Sequence, residues 1–147
     1  MPSQPTSAGL VVGSVASAAT TGALIAIGHR LGSAAVPFAA ISAVLFHRTV
    51  SGSAVGLVFT GVVLHAFAIF VWSAIFVWLV RSLRSRSIAA ACGVSIAALV
   101  LSWIVARSAG GGLSTVLPLG DRLVYGLVLA AALVVGMRFA FFSAQRA

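Results

Sequence analysis

The chain is predicted to be an all-α, polytopic transmembrane bundle of four spanning helices plus one short re-entrant or interfacial helix. Three observations predict it. First, of 147 residues 61% are hydrophobic and 7% charged, whereas a soluble domain carries about 25% charged residues. That leaves too little polar surface for a water-soluble globule, and far too much apolar surface for a disordered chain. Second, four apolar runs are each long enough to cross a hydrocarbon layer of about 30 Å at about 1.5 Å per residue. Third, the runs are continuous. A membrane barrel shows short segments of alternating polar and apolar residues, and an unbroken apolar segment in lipid satisfies its own backbone only as a helix.

The first span is expected at about residues 8–28. The opening Met1-Pro2-Ser3-Gln4-Pro5 has no basic region, and the apolar run is longer than a signal segment needs, so it reads as a span and not as a cleaved leader. The stretch 31–47 holds Pro37 and is short for a crossing. Pro37 suits the first turn of a helix, so a short helix is expected at about 37–46. The second span, 53–80, is the longest and has room to tilt. The third is 87–106. Between 108 and 120 the chain carries Gly110-Gly111-Gly112 and Leu117-Pro118-Leu119-Gly120, a flexible external turn. The glycine run lacks the Lys-Ser/Thr of a phosphate-binding loop. The fourth span is 121–142. The whole forms a single domain.

Orientation follows the arginines. The cluster Arg81, Arg84 and Arg86 is expected in the cytoplasm, which with four spans puts both termini there. Arg138 and Arg146 join it inside; Arg30, Arg48, Arg107 and Arg122 lie outside. A fifth span at 31–47 would move Arg30 inside and improve the bias, but the short length argues for four. Arginine without lysine suggests a GC-rich bacterial genome, which makes the bacterial inner membrane the expected location. The formal charge of +8 invites a nucleic-acid reading, yet the arginines scatter over the ends of apolar runs and form no basic face.

Candidate packing residues are small residues three or four apart, which let helices approach closely in lipid. The first span offers Gly9, Gly13, Ser17 and Thr21, and a second row of Ser14, Ala18, Gly22 and Ala26. The third span offers Ala91, Ser95, Ala98 and Ser102. Gly61 opens space beside His65 on the second span, with Trp72 two turns further on the same side. Cys92 is a lone cysteine inside an apolar run, read as a small buried apolar residue; no metal site is expected. Asp121, the single acid, precedes the fourth helix and is expected to cap its N-terminus.

His65 falls near mid-depth, where an ionisable group is costly and faces the protein interior. Three roles are open to it. It can be a neutral imidazole bonded across the bundle, an axial ligand to haem or chlorophyll, or part of a proton or solute path. A second histidine at the same depth is missing for a bis-histidine haem, since His29 and His47 lie at helix ends. One Asp, no Glu and no Lys leave acid–base or nucleophilic catalysis without partners, so no enzyme and no catalytic residue are expected.

Gly28-His29-Arg30-Leu31-Gly32 leading to Pro37-Phe38-Ala39-Ala40-Ile41-Ser42, Gly61-Val62-Val63-Leu64-His65 leading to Phe70-Val71-Trp72, and Val124-Tyr125 together resemble a family of small, uncharacterised bacterial integral membrane proteins. Ala39 stands where that family's Pro-Phe-Asn-Ala-Ile segment has Asn, and Ala66 replaces a second His. The resemblance implies four helices with a short non-spanning segment and supplies no activity. The expected function is that of a non-catalytic accessory or assembly subunit, packed in the bilayer against a larger respiratory or photosynthetic complex or as a homo-oligomer. A small-solute or ion transporter, with His65, Thr60, Ser95 and Ser102 on its path, is the alternative. A haem- or chlorophyll-binding subunit built on His65 is the second.

Overall fold

The computed structural model describes residues 5–46, 55–82, 87–109 and 112–145. The chain is helical in the order α1 (Pro5–Arg30), α2 (Val36–Phe46), α3 (Val55–Ser82), α4 (Ser87–Ala109), α5 (Leu113–Val116) and α6 (Leu119–Gln145). Four of these, α1, α3, α4 and α6, are long and apolar enough to cross a membrane. At 11 residues, α2 reaches only about 16 Å and stays at one end of the bundle. His47, Arg48, Arg84, Arg86, Gly110, Gly111 and Arg146, along with the first two residues of the expected span 53–80, lie outside the described residues.

The turn between α1 and α2 is set by two glycines. The Ser33 amide donates to the Gly28 carbonyl (2.9 Å) and the Gly32 amide to that of His29 (3.2 Å), the paired bonds of a Schellman C-cap. Gly32 takes the left-handed position at φ 101°, which costs a residue without Cβ nothing. Gly28 is needed for space: a Cβ there would lie 2.8 Å from both Ala34 Cα and the Ser33 carbonyl oxygen. The chain therefore folds back at once, and α2 is laid against α3. Gly61 lets this happen, because a Cβ on it would run into the backbone carbonyl of Phe38.

Helix α1 is the central staff, packed on α6 on one side and α3 on the other; α4 packs chiefly on α6. Its buried stripe is Ala8, Val12, Ala16, Thr20 and Leu24, each four residues from the last. The facing stripe on α3 has the same period: Gly61, His65, Ile69, Ser73 and Val77. Rows of four-residue spacing interlock as ridges and grooves. On the α6 side Gly136 brings backbones together, since a Cβ there would stand 2.9 Å from Val12 Cα. The second row of small residues expected on this helix, Ser14, Ala18, Gly22 and Ala26, is exposed on the outside of the bundle. Small residues occur on several sides of α1, so spacing alone does not say which row is covered.

The turn expected to be a flexible external connection is docked. Leu117 is buried, and Leu113 and Val116 pack with Leu24, Ile27 and Phe38. Arg122 fixes it from α6: Nε donates to the Leu117 carbonyl and an Nη to that of Ser114, both at 2.7 Å. The reason is chemical: carbonyls at the end of a short helical turn lack partners, and a guanidinium has donors enough for two. At the same end of the bundle Arg30 of α1 pairs with Asp121 of α6. Because α6 starts at Leu119, Asp121 sits in the first turn and not at the cap. Its carboxylate complements the helix dipole there and ties two helices together.

Candidate functional site

His65 stands ten residues into α3, about 15 Å from the end of the helix. It is 3% exposed. Its Nε2 lies 3.1 Å from the Thr20 hydroxyl oxygen across the bundle. That hydroxyl has one proton, and the carbonyl of Ala16, at 2.7 Å, is its nearest acceptor. Assigning the proton there makes His65 Nε2–H the donor to Thr20 Oγ1 and leaves Nδ1 as the bare acceptor of a neutral ring. The ring is held edge-on by Phe38 from α2 and tilted against Tyr125 from α6, both with centroids 6.1 Å away. Four helices thus fix one imidazole.

Beside it α3 and α4 part. Helix α4 buries Ala90, Ala91, Val94, Ser95 and Ala98, then nothing from Leu99 to Val105. The seam left there is a cleft of about 330 Å³, open on one side. Its floor is Tyr125 and Leu129 of α6, its walls include Trp72 and Leu101, and α2 and α5 close the end with Val44 and Leu113. The lining is mostly apolar, with His65, Tyr125, Trp72 and Ser102 as its polar members. Neither Nδ1 of His65 nor the polar groups of Tyr125, Trp72 and Ser102 bond to any described residue. The sealed hydroxyls that lack a partner among the described residues are elsewhere, at Ser73 and Ser95.

The other residues singled out in the sequence are spread over the bundle. Gly13 is buried under the Phe70 ring, and Gly61 is in backbone contact with α2. Gly9 is half-buried with open space where a Cβ would go; Ser17 and Thr21 are half-buried beside the covered stripe. Ser95 is buried and Ser102 exposed along the cleft. Of the four polar residues expected on a transport path, His65 and Ser102 share the cleft, while Thr60 turns its hydroxyl to the Gly56 carbonyl at 2.8 Å. Cys92 is exposed. Among the described residues no group of three or more His, Cys, Asp or Glu could hold a metal ion, and His29 is exposed at the end of α1, far from His65. Thr20 and Tyr125 were not legible as site residues. A threonine among many small residues and one tyrosine in an apolar helix carry no spacing signal toward a histidine on another helix.

No family model matches the chain, and no curated protein or solved structure matches it significantly.

Proposed function

We propose that this chain is a non-catalytic integral membrane protein that serves as an accessory or assembly subunit, packed within the bilayer against a larger membrane complex. The observation that carries this reading is the position of α4. Only 22% of its apolar window is buried within the bundle, the lowest share of the four spans, and it is attached mainly along α6. Its outer face presents Ile96, Val100, Trp103 and Ile104. The opposite seam with α3 is incompletely closed. Helices in lipid associate through close packing and interhelical bonds and not through the hydrophobic effect, so a span with so little packing inside its own chain has most of its contact surface free for a neighbour. The expected setting is the bacterial inner membrane with the Arg81 end of the bundle in the cytoplasm.

The experiment is photo-crosslinking from α4 at native expression, with the reactive group at Ile96 or Val100, followed by mild-detergent purification. The reading requires a stoichiometric larger membrane protein crosslinked to α4 and lost when Val100 is replaced by Arg. Crosslinks to lipid alone, with a monomer on purification, refute it. A crosslink between two copies of the chain replaces the larger complex by a homo-oligomer.

A further inference from the structure

We propose that the cleft between α3 and α4 binds an uncharged, lipid-soluble compound of one or two fused rings that carries both a hydrogen-bond donor and an oxygen acceptor, the class that includes quinols and 4-hydroxyquinolines in their 4-quinolone form. This does not rest on the accessory-subunit reading. It rests on the cleft's size, its opening and the polar side chains in its lining.

Size comes first. A cavity of about 150 Å³ holds one benzene ring. The cleft of about 330 Å³ has room for two rings, at the small end of ligand pockets. The open side faces the same way as the apolar outer faces of α3 and α4, where Phe67 and Leu101 are exposed, so a ligand enters from the lipid and leaves an apolar tail there.

Polar chemistry narrows the class. His65 and Tyr125 are each more than nine-tenths buried, line the cleft, and keep a polar atom without a bond to any described residue. Neither atom is among the sealed, unpartnered ones, so both are accessible, and an apolar occupant that covered them would leave them without partners at a cost. An acyl chain in the cleft would leave them so. A ring compound with a donor and an oxygen at opposite sides satisfies both at once: its O–H or ring N–H donates to His65 Nδ1, and its oxygen accepts from the Tyr125 hydroxyl. The Thr20 bond matters here, because it holds the imidazole with its acceptor nitrogen free. Trp72 and Ser102 offer two further donors along the wall. Among the described residues no arginine and no acid lines the cleft, which suits an uncharged ligand. Trp72 and Tyr125 in the lining supply aromatic partners for a ring.

The test uses the full chain in lipid nanodiscs with 2-heptyl-4-hydroxyquinoline as probe and 2-heptylnaphthalene, which has the same rings and tail without oxygen or nitrogen, as its control. Trp78→Phe and Trp103→Phe leave Trp72 as the one tryptophan of the three in the chain, and its fluorescence reports occupancy. Saturable quenching at one probe per chain is expected, at least tenfold weaker for the naphthalene and for Tyr125→Phe. Ala68→Phe fills the cleft from an exposed position and should abolish the signal while helical circular dichroism and the melting profile stay intact. Equal binding of the two probes, or quenching that ignores Ala68→Phe, overturns the proposal. So does a phospholipid retained on purification and displaced only by Ala68→Phe. A Soret or chlorophyll band that vanishes in His65→Ala overturns it in favour of a coordinated macrocycle.

Discussion

Replacing Gly61 by Ala adds one methyl group, and the structure gives it nowhere to go. The Cβ would fall onto the carbonyl oxygen of Phe38, with the carbonyl carbon and Cα of the same residue close behind. All three are backbone atoms of α2, so no side-chain rotation relieves the clash. Helix α2 has to shift away from α3, and α2 also packs against α5 and α1. Overpacking of this kind costs about 1–3 kcal/mol, at the upper end where the obstacle is backbone. Against it stands the gain of about 0.5–1 kcal/mol from replacing glycine by alanine within a helix. A net loss of about 2 kcal/mol is expected. Gly9→Ala supplies the internal comparison: the same substitution inside α1, with nothing within 4 Å of the new methyl, should keep the propensity gain and stabilise by about 0.5–1 kcal/mol. The assay is reversible unfolding in mixed micelles followed by far-ultraviolet circular dichroism. If the two variants move in the same direction, or Gly61→Ala is neutral, the α2–α3 backbone contact is not what holds α2 in place.

The remaining predictions concern polar contacts. Thr20→Val keeps the side chain's shape but leaves His65 Nε2–H without its acceptor, so it should cost about 1–3 kcal/mol; Thr20→Ser should restore most of it in the same unfolding assay. Ser73→Ala removes a sealed hydroxyl that has no hydrogen-bond partner among the described residues, and should be neutral or stabilising by up to about 1 kcal/mol. Arg122→Gln frees the carbonyls of Ser114 and Leu117; faster amide exchange over residues 113–117, with exchange in α1 unchanged, is the expected signature. Asp121→Asn takes the charge from the Arg30 pair, whose guanidinium side is 66% exposed, so a loss below about 1 kcal/mol that fades at high salt is expected.

The membrane-spanning character was written in the composition and in unbroken apolar runs, because lipid leaves the helix as the one way for such a run to satisfy its own backbone. Length arithmetic and Pro37 sufficed to separate the short helix from the spans, and the place of His65 along α3 followed from counting residues. These are properties of a segment taken alone. Which side of each helix is covered is a property of pairs, and the period of small residues did not reveal it: α1 carries several such rows, and only contact with α3 and α6 selects Ala8, Val12, Ala16 and Thr20. The same holds for the site. Thr20, Phe38, His65 and Tyr125 come from four helices, and no spacing along the chain links them. Their meeting is fixed by Gly28, Gly61 and Gly136, whose missing side chains set how near the backbones come. Those distances, and the cleft left where α4 leans away, exist only once the helices are packed together.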